Sequence, residues 1–111
     1  MSERLVDLDV LAQYVGNDRL LQRRISQRFL QSTRQAVIEL QQAVERDDFA
    51  HIGGLAHRIK PSAMAMGAGI LCELATDLEK ASREKCAVTI REQLRKLTPL
   101  MMQLEGEIAA L

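Results

Sequence analysis

From Ile90 to the end of the chain the apolar residues recur at alternating intervals of four and three: Ile90, Leu94, Leu97, Met101, Leu104, Ile108 and Leu111. A half-buried strand would alternate every second residue. This spacing instead follows one face of a helix with about 3.6 residues per turn. A seam this regular must be covered by other helices, so it sets the fold class before anything else does.

The same period runs upstream. Leu21, Ile25, Phe29, Ala36, Leu40 and Val44 mark a long helix over about 18–46, with Asp18 placed to cap its N-terminus. A short helix over 7–15 precedes it, closed by Gly16-Asn17. Arg46-Asp47-Asp48 reads as a turn in which either aspartate can cap a third helix, which carries Phe49, Ile52, Leu55 and Ile59 to about Met66. Gly67-Ala68-Gly69 ends it. A fourth helix over 70–83 presents Leu71, Leu74, Leu78 and Ala81, and the fifth runs from about Ala87. Four long amphipathic helices joined by short turns predict an all-α, antiparallel four-helix bundle, with the short extra N-terminal helix capping one end. Residues 1–111 read as a single domain. Two prolines interrupt the pattern. Pro99 in the fifth helix and Pro61 in the third should each kink their helix, at ~3 kcal/mol in an uncompensated interior. Pro61 also lacks the N–H that would bond the His57 carbonyl.

Composition narrows the function classes. Fifteen Lys and Arg balance fifteen Asp and Glu, and aromatic residues make up only 3% of the chain. That argues against a nucleic-acid binder, which needs a basic patch. No apolar run approaches the ~18 residues of a membrane span, and the polar start lacks a signal peptide. Cys72 and Cys86 have no metal-ligand spacing around them. Cys72 reads as core packing, which favours a reduced, cytoplasmic setting.

His57 is the residue most suggestive of chemistry. On a helical wheel Ile52, Leu55, Ile59 and Met66 gather opposite it, with Ala63 at their margin. Its own side carries Ala50, Gly53, Gly54, Lys60, Pro61 and Met64, mostly small or flat, with one cation at i+3. An imidazole on such a low surface is open to another large molecule. Two adjacent glycines disfavour the helix by about 0.5–1 kcal/mol each relative to alanine. They serve either to keep this face low or to let two helices cross closely. His51 reads as structural or incidental, Ser62 as local packing or a back-bond to a carbonyl, and Arg19, Arg23, Arg24, Arg28 and Arg34 mostly as a solvated face.

The stretch Ala56-His57-Arg58-Ile59-Lys60-Pro61-Ser62-Ala63, followed by Gly67-Ala68, resembles the signature of histidine-containing phosphotransfer (HPt) domains. The family pattern is alanine-histidine-x-hydrophobic-lysine-glycine-small-small, with a glycine-alanine pair beyond it. Pro61 departs from that pattern, standing where the family usually has glycine. The resemblance implies that His57 accepts a phosphoryl group from a receiver-domain aspartyl phosphate and passes it to another receiver aspartate. It implies a phosphate carrier rather than an enzyme, either free-standing or as the C-terminal domain of a hybrid sensor histidine kinase.

Physical chemistry fits these roles. A free imidazole, with a pKa of about 6.5, is largely neutral and nucleophilic in the cell. Phosphoryl transfer passes through a loose, charge-spread transition state, which rewards positioning and countercharge. Lys60 can supply a point charge to the phosphoryl oxygens, at ~0.2–1 kcal/mol on an exposed face. Ala50, Gly53, Gly54, Pro61 and Met64 form the expected partner-binding surface, Met64 as an adaptable apolar contact. No carboxylate shares His57's helix face, so no metal or other cofactor of its own is expected; Mg²⁺ belongs to the partner receiver. A monomer is expected.

Two other classes compete. In the phosphoacceptor bundle of a sensor kinase an acidic residue normally follows the histidine, where this chain has Arg58. A phosphorylation-independent helical adaptor for a response regulator or kinase would have no use for His57 and Lys60.

Overall fold

The computed structural model describes residues 4–111. They form five helices: α1 (Leu8–Val15), α2 (Arg19–Glu45), α3 (Phe49–Ala65), α4 (Gly69–Arg83) and α5 (Ala87–Ala109). In the four long helices α2 packs on α3, α3 on α4, α4 on α5 and α5 back on α2. This closed ring is the antiparallel bundle that the short connections predict. The contact between α3 and α4 is the most extensive.

The extra helix sits at one end. Asp7 N–H donates to the Met66 carbonyl at 2.9 Å, joining the start of α1 to the end of α3. Leu5 N–H donates to both oxygens of Glu107 at 2.8 Å, and Val6 N–H to Oε1 at 3.2 Å. Leu5 and Val6 are thereby buried beside the last turns of α5.

The seams of α3, α4 and α5 fall where periodicity places them. Ile52, Leu55, Ile59, Ala63 and Met66 are buried from α3, and Leu71, Leu74, Leu78 and Ala81 from α4. From α5 come Ile90, Leu97, Met101, Leu104 and Ile108, with Leu94 half-buried. Cys72 also packs half-buried against the core, and both cysteines are free thiols.

The first half of α2 corrects the sequence reading. Leu21 is exposed, and the buried register is Gln22, Ser26, Phe29, Thr33, Ala36, Leu40 and Ala43. This is again a four-three alternation, but with polar residues in three of its places, so hydrophobicity alone tracks the wrong stripe. Gln22 is satisfied inside by donating to the Gly16 carbonyl at 2.8 Å. Ser26 Oγ is buried with no hydrogen-bond partner.

Three helix ends use one device. After α2, α3 and α4 the chain turns through the left-handed region at Asp47 (φ 51°), Gly67 (φ 64°) and Lys85 (φ 53°). The next residue then donates back into the helix: Asp48 to Ala43, Ala68 to Ala63 and Cys86 to Ala81, at 2.9, 2.8 and 2.9 Å. These are Schellman closures. Only Gly67 requires glycine for space, because a Cβ there would lie 2.6 Å from Asp7 Cβ. Gly69, expected in the break, is instead the first residue of α4. Asp18 caps α2 through Leu20 and Leu21 N–H, and of the two candidate aspartates Asp48 caps α3, accepting from His51 N–H at 3.1 Å.

Neither proline ends its helix: α3 continues through Pro61 and α5 through Pro99. Both prolines are exposed. The residues whose carbonyls they deprive of a donor, His57 and Arg95, are exposed as well, and a carbonyl that water can reach makes the loss mildest.

Candidate functional site

α3 is anchored by its buried face, including Ala56, which is 0% exposed. That anchoring turns His57 outward, with 74% of its side chain exposed. Ala50, Gly54, Pro61 and Met64 are exposed on the same side. Gly53 is not equivalent to Gly54. A Cβ at Gly53 would stand 2.6 Å from Ser82 Oγ on α4, while a Cβ at Gly54 would meet nothing within 4 Å. The two glycines thus divide the roles that the sequence left open: Gly53 lets α3 and α4 approach, and Gly54 keeps the outer surface low.

That approach brings in Glu79 of α4, which sequence reasoning missed. His57 Nδ1 lies 2.9 Å from Glu79 Oε2. Lys60 Nζ donates to the other oxygen, Oε1, at 3.1 Å. One carboxylate therefore joins both residues singled out from the sequence. The expectation that no carboxylate shares the His57 face holds for α3 alone and fails once α4 is packed against it. Glu79 is only 18% exposed and Lys60 29%. Ser82 Oγ donates to the Glu79 carbonyl at 2.7 Å, tying the same turn of α4. A signal for Glu79 did exist. His57 and Glu79 lie at nearly equal distances along the chain from Gly67, so an antiparallel α3–α4 hairpin sets them side by side.

Electrostatics keep Glu79 ionised. Its pKa is lowered chiefly by the hydrogen bond from Lys60; burial opposes this and the bond with His57 adds to it. An ionised carboxylate only accepts hydrogen bonds, so a neutral His57 must carry its proton on Nδ1. Nε2 is left with its lone pair and, among the described residues, no hydrogen-bond partner, on a ring whose side chain is 74% exposed. An oriented imidazole with a free, outward nitrogen can act as a nucleophile.

The other basic residues play different parts. Arg58 lies 4.0 Å from Glu39, Arg34 pairs with Glu105 at 2.9 Å, and Arg23 donates to the Leu111 carbonyl at 2.6 Å. Arg19, Arg24 and Arg28 are exposed. Ser62 is exposed. No helix among the described residues is long and apolar enough to cross a membrane.

The family model of the Hpt domain matches residues 24–111, which includes α3, α4, α5 and most of α2. Neither the curated proteins nor the solved structures contain a significant match to this chain. The helical bundle and the family match, covering well over half of the sequence, agree with each other: the chain belongs to the Hpt domain family, the phosphate-carrier modules that interact with receiver domains in phosphorelays.

Proposed function

We propose that His57 is the phosphoacceptor and that its Nε2 takes a phosphoryl group from a receiver-domain aspartyl phosphate, then returns it to the aspartate of another receiver. The observation that carries this reading is the 2.9 Å contact between His57 Nδ1 and Glu79, which engages Nδ1 and leaves Nε2, among the described residues, without a protein partner on a side chain 74% exposed. In the transfer step the Nε2 lone pair forms the N–P bond as the P–O bond to the aspartate breaks. The aspartate leaves as a carboxylate. The ring, having given up its lone pair, becomes cationic and keeps its proton on Nδ1. The Glu79 carboxylate stabilises that charge through the same hydrogen bond. Because both directions use the same groups, the carrier also serves for release of the phosphoryl group.

Lys60 has two parts in this scheme. At rest it holds Glu79 ionised. When the phosphoryl group arrives, its flexible ammonium exchanges a Glu79 oxygen for a phosphoryl oxygen. Mg²⁺ and the acidic residues that hold it belong to the receiver. The surface of Ala50, Gly54, Pro61 and Met64 faces the partner, with Gly53 set beside it at the α3–α4 contact, and the setting is the cytoplasm. An adaptor that only binds would not need an imidazole oriented in this way.

The test is transfer from a panel of phosphorylated receiver domains to the full chain. An acid-labile, alkali-stable phosphate on the wild type, absent from His57→Gln, supports the reading. Binding of a phosphorylated receiver without any label on the chain favours the adaptor.

A further inference from the structure

The fate of a phosphoryl group on an imidazole is decided by the nitrogen that does not carry it. With a proton on Nδ1 the ring departs from phosphorus as neutral imidazole. Without that proton it would have to depart as an imidazolide anion, a far poorer leaving group. Phosphohistidine is acid-labile and alkali-stable for this reason: bulk acid supplies the proton. Here the group facing Nδ1 is a carboxylate, Glu79 Oε2, at 2.9 Å. A carboxylate at hydrogen-bond distance favours a cationic ring.

The packing of α4 on α3 holds that carboxylate in place. The helices come close because Gly53 has no Cβ, which would stand 2.6 Å from Ser82 Oγ. Ser82 Oγ in turn donates to the Glu79 carbonyl at 2.7 Å. Glu79 is 18% exposed, so its charge is screened less than that of a surface carboxylate. At rest it is shared with Lys60 at 3.1 Å. Once the Lys60 ammonium turns to a phosphoryl oxygen, the ring N–H is the side-chain partner that Glu79 keeps. The other charges on the packed elements do not replace it. Arg58 of α3, and Lys80 and Arg83 of α4, are exposed cations, and Glu39 of α2 is directed to Arg58 at 4.0 Å. The anionic phosphoryl group also favours a cationic ring, but it does so in any phosphohistidine.

Resting on the phosphotransfer reading, we infer that Glu79 sets the lifetime of the phosphoryl group: it holds the phosphorylated ring protonated at neutral pH and so keeps phospho-His57 a quick donor, both to a receiver aspartate and to water. In each case an oxygen of the acceptor forms a P–O bond while the N–P electron pair returns to Nε2. The ring leaves neutral, with its proton still on Nδ1. When the acceptor is water, the proton that water loses passes to solvent. The carrier is thus suited to passing phosphate on rather than storing it.

The experiment compares the wild type with Glu79→Gln, which keeps the size and a hydrogen-bond acceptor but removes the charge. Both chains are labelled with phosphoramidate, a small N–P donor that needs no receiver, and then freed of it. Phosphate loss to water is followed from about pH 5 to about pH 8, the interval in which an ordinary imidazole titrates. At the upper end the variant should hold its phosphate several-fold longer, up to about tenfold, since one unit of proton affinity is a tenfold change in the protonated fraction. Its onward transfer to an unphosphorylated receiver should slow by a similar factor there. At the lower end bulk acid protonates both rings, and the variant should lose phosphate at least as fast as the wild type. A variant with the lifetime and pH profile of the wild type overturns the inference. So does one slowed equally at every pH, because Glu79 would then act by position alone. Failure of the phosphotransfer reading looks different: phosphoramidate labels His57 while no phosphorylated receiver does. No label at His57 from either donor overturns both.

Discussion

His57 and Glu79 come from neighbouring antiparallel helices and meet through a 2.9 Å contact between Nδ1 and Oε2. This contact turns an exposed histidine into an oriented one. It assigns the ring proton to the nitrogen facing the protein and leaves the lone pair on the nitrogen facing outward. If His57 is the phosphoacceptor proposed above, holding it still before the partner arrives removes part of the entropic barrier to transfer.

Glu79→Ala should therefore slow phosphate acceptance while His57 remains in place. Loss of one oriented charge partner is expected to cost about 10- to 100-fold in transfer rate. The variant should also release the tautomer preference, which nitrogen chemical shifts of the labelled imidazole report directly. A slowed variant whose ring still carries its proton solely on Nδ1 would show that Glu79 acts by some other route.

His57→Gln should abolish phosphate acceptance with little effect on stability, because the side chain is 74% exposed and buries no core surface. The expected change in unfolding free energy is within about 0.5 kcal/mol. Denaturant melts of the two proteins check this. A variant that unfolds would make His57 a structural residue.

Lys60→Ala should slow transfer and raise the pKa of Glu79, since the Lys60 hydrogen bond is the largest cause of its lowering. The sign of the pH effect follows. A carboxyl whose folded pKa lies below its ordinary value of 4.5 contributes stability that is fully present above that value. The contribution is lost as pH falls through the lowered, folded pKa. Acid unfolding of the wild type over that window should thus be steeper than that of Glu79→Gln, which has no such group to protonate. Paired pH titrations of the denaturation midpoint measure the difference.

The two adjacent glycines should respond oppositely to alanine. Gly54→Ala should stabilise the chain by about 0.5–1 kcal/mol, through helix propensity with no clash. Gly53→Ala should destabilise it by about 1–3 kcal/mol, as its Cβ displaces Ser82 Oγ from a contact 2.6 Å away. Calorimetric melts of the two single variants decide it. Equal shifts of the same sign would remove the distinction between packing and surface roles.

Much of the architecture was legible in the sequence, because periodicity reports burial directly. The four-three seam of α5, the core face of α3 and the outward placement of His57 all follow from residue spacing alone. The first half of α2 was not legible, because Gln22, Ser26 and Thr33 take core positions while Leu21 is left outside. A hydrophobicity pattern cannot see a buried polar residue that is satisfied by a distant carbonyl. Glu79 was hidden for a related reason. Helical wheels describe one helix at a time, and the site is made where two helices meet. Likewise the αL turns at Asp47 and Lys85 carry no glycine to mark them, whereas Gly67 stands out because Asp7 packs against it.

The central claim is that His57 Nε2 carries the phosphoryl group. Its most direct test is nitrogen and phosphorus NMR of the chain after transfer from a phosphorylated receiver. The account predicts one phosphohistidine, at residue 57, with phosphorus bonded to Nε2 and the proton retained on Nδ1 toward Glu79. Phosphorus on Nδ1, or a phosphate on any other residue, would contradict it.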